Sequence, residues 1–205
     1  MIISHKHKFI FIKTVKTAST SIEVFLSPQC GSDDIVTPIV PPVEGHEPRN
    51  HQGFYNHIPA TLIQERVLPE LWNSYFKFCV ERNPWSKVLS HYHMQVARTG
   101  GDYSLDQYLA KGKLPINYPR YTDASGEKIV VDRVLRYENL NVDLAEVSAR
   151  LKLRFDGTLD VRAKSDYRTD RTPYQLVFNE AQRRIVERAF AKEIELHGYR
   201  FESKP

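Results

Sequence analysis

The chain has only two cysteines in 205 residues, Cys30 and Cys79. Two thiols are too few for a disulfide framework, and their spacing is not that of a Cys-x-x-Cys redox or zinc motif. Cys79 lies inside the apolar run FKFCV, where we expect a buried and unreactive thiol. A reducing compartment suits this composition, so the sequence predicts a cytoplasmic protein.

Long apolar runs and a strong excess of one charge are also missing. No run approaches the roughly 20 residues that span a membrane, so we expect neither a membrane span nor a secretory signal. The 29 basic and 25 acidic residues leave a formal charge of +4, which a solvated surface explains as well as an anionic ligand does. We therefore expect one globular domain over residues 1–205, with no nucleic-acid partner.

Short apolar runs alternate with amphipathic segments along the chain. Strands are predicted at Lys8–Lys13 and Tyr75–Val80, with one or two more within Lys128–Arg136. Helices are predicted after the polar turn that follows the first strand and in five later segments: Pro59–Leu68, Pro84 to Arg98, Ser104–Ala110, Asp143–Leu151 and Asn179–Leu196. The alternation predicts an α/β fold, and we expect a P-loop-like three-layer domain whose central, mainly parallel sheet is flanked by helices.

Two segments interrupt this alternation. Residues 28–56 form a long, proline-rich surface excursion to which no regular structure is assigned, and residues 99–126 form a variable insertion. Loops of such length are usually functional or mobile. Ligands of parallel α/β sheets bind at the carboxyl ends of the strands, so the polar motifs after the first two predicted strands are the candidate sites.

The first polar motif is Lys-Thr-Ala-Ser-Thr-Ser at residues 16–21, between a strand and a helix. Amides at a helix start, joined by hydroxyls and an ammonium, predict a phosphate or sulfate cradle, although an ordinary capped helix has the same pattern. A Walker A loop needs G-x-x-x-x-G-K-[ST], and no glycine precedes Gly31. An ordinary ATPase or kinase is disfavoured, while a relative with a shorter loop stays open.

The second polar motif follows the second strand and begins with Arg82. Its guanidinium offers a bidentate fork to a phosphate, although a surface ion pair would explain it equally well. Asn83 is the expected cap and Pro84 the first residue of the next helix. Ser90 lies about two turns into that helix and is placed to reach the same anion.

The run FIFIKTVKTASTSIE resembles the 5′-phosphosulfate loop of sulfotransferases that use 3′-phosphoadenosine 5′-phosphosulfate (PAPS). It is most similar to the uronyl 2-O-sulfotransferase group, with Val15 where that family usually has proline. The resemblance implies that Lys16 contacts the sulfuryl group and the bridging oxygen. It also implies that the residues after Lys16 hold the 5′-phosphate: Thr17, Ala18, Ser19, Thr20 and Ser21.

The second motif is similar to the 3′-phosphate-binding segment of the same family, in which Arg82 and Ser90 match the phosphate-binding positions. A later basic stretch falls where the family has a loop over the nucleotide, which makes Lys164 and Arg168 expected contacts, unless they belong to a solvated face. PAPS is the implied donor, and no metal is expected. Asp132 is the one candidate carboxylate for Mg²⁺, and it fits a turn equally well.

The segment HQGFYNH resembles the family stretch that carries the catalytic histidine, which implies that His57 is the general base. His51 is the alternative and Glu47 a weaker one, and a capping or surface role for His57 stays open. The implied reaction moves a sulfuryl group from PAPS to a hydroxyl, expected on a saccharide or glycolipid. The rivals are a Mg-ATP-dependent small-molecule or nucleotide kinase with a shortened P-loop and a non-catalytic polyanion-binding module. Nothing in the sequence indicates the oligomeric state.

Overall fold

A computed structural model of the protein describes residues 1–101, 103–159 and 172–202. Within these ranges five strands share one sheet: β1 Ile2–Ser4, β2 Phe9–Phe11, β3 Ile35–Val36, β4 Phe76–Glu81 and β5 Arg133–Arg136. The α-helices are α1 Ser19–Leu26, α2 Ala60–Arg66, α3 Pro69–Ser74, α4 Pro84–Thr99, α5 Leu105–Ala110, α6 Leu140–Leu151, α7 Tyr174–Val177, α8 Glu180–Ala189 and α9 Ala191–His197. The predicted α/β class is confirmed.

The sheet is mixed, whereas the sequence predicted a mainly parallel one. Its strand order is β3-β1-β2-β4-β5, in which β1 runs antiparallel to β2 and β3, and β2, β4 and β5 run parallel. Residues 5–8 alone separate β1 from β2, which is too short for the crossover that a parallel pair requires. Strands β1 and β3 were missed because runs of three and two residues are too short to show a periodicity.

The chain divides into two compact units. The first comprises residues 1–81 and 117–163 and contains the whole sheet. Alternate residues of β2 and β4 point to one face of the sheet, where they pack with α1 and α6 in a single buried cluster: Phe9, Phe11, Phe78 and Val80 with Ile22, Leu26, Leu144, Val147 and Leu151. The side chains on the opposite face, such as Ile10 and Cys79, are also fully buried, so both faces of these strands are covered.

The second unit comprises residues 82–116 and 164–205 and has a helical core of its own. In that core, residues of α4 pack against α5 and α8: Trp85, Val88 and Leu89 with Tyr108, Leu109 and Val186. The backbone N–H of Ser86 donates to Asn83 Oδ1 (3.2 Å) at the start of α4, which confirms the predicted cap. The single domain over residues 1–205 stays a prediction.

The structure differs from the prediction in one helix and in one segment to which no regular structure was assigned. The predicted helix Asn179–Leu196 is interrupted at Phe190, whose backbone leaves the helical region with φ −108° and ψ 20°. The excursion 28–56 contains the edge strand β3, and Val36 pairs with Arg49 in an isolated bridge.

None of the helices in the part of the chain that the structure describes has both the length and the apolar character that a membrane span requires.

Candidate functional site

The first polar motif lies in the loop between β2 and α1, in the first unit. Because β2 and β4 are neighbouring parallel strands, their carboxyl ends lie at the same edge of the sheet. This edge is the usual ligand side of parallel α/β sheets. Arg82, which opens the second motif, is the residue that follows the end of β4.

Two non-glycine residues of the loop adopt the left-handed conformation, Lys16 with φ 62° and Ala18 with φ 60°. This conformation costs a residue with a Cβ about 1–2 kcal/mol, so the surrounding contacts must maintain it. Left-handed residues in a tight turn aim successive backbone N–H groups into a concavity that suits an anion. Ala18 is also the N-cap of α1 and has no side-chain oxygen to accept from the first-turn amides.

The loop hydroxyls form a buried chain. Thr14 Oγ1 donates to the carbonyl oxygen of Val80 (2.6 Å), because a carbonyl can only accept. A lone pair of the same Thr14 oxygen accepts from Thr17 Oγ1 (2.7 Å). Thr17 Oγ1 in turn lies 2.7 Å from Ser19 Oγ. Thr17 is 0% and Ser19 is 3% exposed. These two side chains therefore brace the loop from inside, which leaves their backbone N–H groups as the candidates for binding a ligand.

The other motif residues differ in exposure. Lys16, Ala18 and Thr20 are half-buried, so each keeps some access to solvent, whereas Ser21 is buried. Lys13, the second lysine near the loop, is buried and forms an ion pair with Glu23 of α1. Lys16 is therefore the lysine placed to meet a ligand.

The ion pair beneath the loop includes a third group, since the amino group of Met1 also contacts the Glu23 carboxylate. Burial alone would raise the pKa of Glu23. The ammonium groups of Met1 and Lys13 outweigh that effect, and the pKa of Glu23 lies below its usual range. The pair ties the end of β2 to α1 and so supports the loop that joins them.

His57 lies beside this loop, with its Nδ1 atom 3.1 Å from the carbonyl oxygen of Lys13. Since a carbonyl only accepts, Nδ1 carries the proton and Nε2 keeps the lone pair of the neutral ring. Burial, together with the charges of Lys13 and Arg120, lowers the pKa of His57 to about 4. His57 also has a left-handed backbone, with φ 62°. The ring is thus a neutral base of defined tautomer at physiological pH.

Sequence reasoning missed a buried amide that grips the loop. The backbone N–H of Val15 donates to Asn117 Oδ1 (2.8 Å), and Asn117 Nδ2 donates to the carbonyl oxygen of Val15 (3.0 Å). Asn117 Nδ2 also lies 3.3 Å from Glu81 Oε1, and the Tyr121 hydroxyl donates to Glu81 Oε2 (2.9 Å). Asn117, Glu81 and Tyr121 are fully buried. No local motif could have indicated this cluster, because its parts are far apart in sequence.

In the second unit, Arg82 lies on the face of α4 that carries Ser86 and Ser90. Arg82 Nε and one terminal guanidinium nitrogen donate to Ser86 Oγ, at 3.1 and 2.8 Å. Ser86 and Ser90 are four residues apart in α4, so they are neighbours on one side of the helix. A guanidinium and two hydroxyls are groups that suit a phosphate, but two nitrogens of this guanidinium already donate to Ser86, so a phosphate bound here replaces Ser86 Oγ as their acceptor. Ser86 is a member of this face that the sequence analysis did not single out.

Of the remaining predicted residues, those that the structure describes are not seen to contact either candidate anion site. Lys164 and Arg168 lie outside the described residues. His51 is half-buried and Glu47 is exposed, and of the three candidate bases His57 is the one seen to bond to the β2–α1 loop. Asp132 forms an ion pair with Lys77 (3.0 Å), which favours its structural interpretation. Among the residues that are described, no three His, Cys, Asp or Glu side chains are grouped as a metal site.

A pocket of about 610 Å³ opens beside α1 in the first unit. Ser21 and Phe25 line one part of it, and Leu153, Phe155 and Leu159 line another. The rings of Phe25 and Phe155 meet edge to face, with centroids 5.3 Å apart. Ser21 is the last residue of the first motif, so this pocket, whose lining includes apolar, polar and charged residues, adjoins the candidate anion loop.

Comparison with known proteins identifies a relative but does not indicate a function for this chain. No protein-family model matches the chain. Over 118 residues the chain is 34% identical to a protein of Archaeoglobus fulgidus described as an uncharacterized protein. The match covers 54% of this chain and 98% of the archaeal protein. The chain therefore belongs to the same protein family as this protein of Archaeoglobus fulgidus.

Proposed function

We propose that the protein is a sulfotransferase that moves a sulfuryl group from PAPS to a hydroxyl of a saccharide or glycoconjugate. In this proposal the α/β unit is a P-loop-like three-layer domain. The observation that carries the proposal is the bond from His57 Nδ1 to the Lys13 carbonyl, because it holds a neutral base beside the loop that carries Lys16. The cytoplasmic location stays a prediction from the cysteine content.

The proposed chemistry is an in-line displacement at sulfur. The acceptor oxygen forms a bond to sulfur while the bond from sulfur to the bridging oxygen of PAPS breaks, which releases adenosine 3′,5′-bisphosphate. His57 Nε2 takes the proton of the acceptor hydroxyl, and the Lys16 ammonium stabilises the negative charge that develops on the leaving 5′-phosphate oxygen. The backbone N–H groups from Thr17 to Thr20 bind the 5′-phosphate.

Two further features, one in each unit, each suit one part of a bisphosphorylated adenosine. In the proposal the 3′-phosphate binds the Arg82 guanidinium and the hydroxyls of Ser86 and Ser90, and it replaces Ser86 Oγ as the acceptor of the Arg82 N–H groups. The pocket lined by Phe25 and Phe155 offers apolar and aromatic surface to a purine ring. Thr17 argues against the kinase alternative. A Walker loop uses the hydroxyl after its lysine to bind Mg²⁺, whereas the Thr17 hydroxyl is fully buried in the loop interior.

The deciding experiment is a calorimetric titration with adenosine 3′,5′-bisphosphate, ADP and AMP in the presence of EDTA, followed by a transfer assay with PAPS. We expect adenosine 3′,5′-bisphosphate to bind at least about tenfold more tightly than ADP, because only the bisphosphate carries a 3′-phosphate for the Arg82–Ser86–Ser90 face to bind. Turnover that requires Mg²⁺ and ATP would refute the proposal and establish the kinase.

Lys16→Ala tests whether binding reflects catalysis or only positive charge. We expect this variant to fold and to lose transfer activity. The matched control is Lys128→Ala, which removes an exposed lysine of the same unit and should leave activity unchanged. Equal, modest losses in both variants would instead indicate the polyanion-binding module.

A further inference from the structure

Asn117 makes two hydrogen bonds to a single residue of the anion loop. Its amide oxygen and nitrogen engage the N–H and the carbonyl of Val15 at 2.8 and 3.0 Å. A side chain that holds both polar groups of one residue fixes the orientation of the backbone there, as a neighbouring strand would. Asn117 itself is 0% exposed, so solvent does not compete for these bonds.

Val15 lies where its orientation affects the turn of the loop. Val15 immediately precedes Lys16, the first of the two left-handed residues of the loop. A strained conformation persists only where its surroundings over-determine it. With Val15 held on both of its polar groups, the chain enters the turn at Lys16 in one orientation.

The orientation of the amide is itself determined by a neighbour. Glu81 Oε1 lies 3.3 Å from Asn117 Nδ2, and the other Glu81 oxygen accepts from Tyr121 (2.9 Å). A carboxylate accepts from N–H groups, so it selects the amide rotamer that presents Nδ2 to it. The same rotamer turns Oδ1 toward the Val15 N–H. The end of β4 thereby sets which way Asn117 grips the loop that follows β2.

We propose that Asn117 is a positioning residue for the 5′-phosphosulfate of the donor: it holds Val15 so that the amides of the loop converge on this group. The proposal rests on the proposed function, since it takes the nucleotide as the ligand of the loop. Asn117 itself does not contact the reacting atoms. It acts through the backbone that it fixes.

The test is to compare Asn117→Ala with wild type in binding two nucleotides that differ in one phosphate. Adenosine 3′,5′-bisphosphate uses the loop, whereas 3′-AMP lacks the 5′-phosphate. We expect the variant to bind the bisphosphate about tenfold more weakly and to bind 3′-AMP as wild type does, since two hydrogen bonds that order the loop are lost. A role limited to stability would change both affinities together or neither.

Tyr121→Phe is the matched control, because it removes a hydrogen bond to the same Glu81 but leaves the Val15 contacts in place. We expect it to bind both nucleotides normally. If Asn117→Ala does not fold, Asn117→Leu serves instead, since leucine fills a similar volume but bonds to neither group of Val15 and should give the same loss for the bisphosphate alone.

Amide hydrogen exchange at Val15 separates failure of this inference from failure of the proposed function. Faster exchange in the Asn117 variant, with Tyr121→Phe like wild type, is the expected result. If wild type binds neither nucleotide, the sulfotransferase proposal fails, and the exchange rates alone decide whether Asn117 holds the loop. If wild type binds the bisphosphate and the Asn117 variants match it in affinity and exchange, the positioning role is refuted.

Discussion

His57 should make the stability of the protein depend on pH in a way that one substitution removes. Burial beside Lys13 and Arg120 lowers its pKa from 6.5 to about 4. Between these two values the unfolded chain binds a proton that the folded protein excludes. The stabilising effect is therefore fully present above about pH 6.5 and is lost as the pH falls toward 4.

The magnitude follows from the size of the shift. Each pKa unit corresponds to about 1.4 kcal/mol, and with an allowance for the partial exposure of the ring we expect a loss of about 2 kcal/mol between pH 7.5 and pH 4.5. The best substitution is His57→Asn. Asparagine tolerates φ 62° and can still donate an amide N–H to the Lys13 carbonyl, but it does not titrate.

The assay is urea denaturation of wild type and His57→Asn at both pH values. Carboxylates that titrate in the same range contribute equally to both proteins. The change in the free energy of unfolding between the two pH values, compared between wild type and His57→Asn, therefore reports His57 alone. His51→Asn is the matched control from the same segment. If wild type and His57→Asn lose stability in parallel, or His51→Asn reproduces the effect, the structural explanation of the shift is wrong.

Two further substitutions test the two candidate anion sites. Ala18→Gly should raise the free energy of unfolding by about 0.5–1 kcal/mol, because glycine adopts φ 60° without strain. The control is Ala145→Gly on the exposed side of α6, which should lower the free energy of unfolding by about 1 kcal/mol. Denaturation curves measure both, and a destabilising Ala18→Gly would contradict the strain. Arg82→Lys keeps the charge but loses the fork, so titration calorimetry should show about tenfold weaker binding of adenosine 3′,5′-bisphosphate and unchanged binding of 5′-AMP. Equal losses for both nucleotides would argue against a 3′-phosphate site.

Local sequence signals were sufficient for the elements that carry the candidate sites. The β-branched and aromatic runs predicted β2 and β4 to within two residues of their ends, and the Asn83-Pro84 pair predicted the start of α4. These features succeed because each depends on neighbours along the chain. The same approach missed strands β1 and β3, because their short runs become strands only by pairing within the sheet.

The orientation of the site residues was decided at the tertiary level. The sequence treats the hydroxyls of Thr17, Ser19 and Thr20 alike, but the fold turns the first two inward onto Thr14 and leaves only Thr20 partly exposed. Likewise, the resemblance that singled out His57 says nothing of the Lys13 carbonyl that determines its tautomer.

The amino-acid sequence by itself determined the α/β class, the strand–loop–helix of the first motif and the residue types available for binding an anion. Only the tertiary structure decided which lysine is buried, which hydroxyls face inward and that Asn117 holds Val15. The reason is distance along the chain: Asn117 and Val15 are 102 residues apart. Such a pair meets only when the packing of the whole unit brings its segments together, and no local pattern encodes that packing.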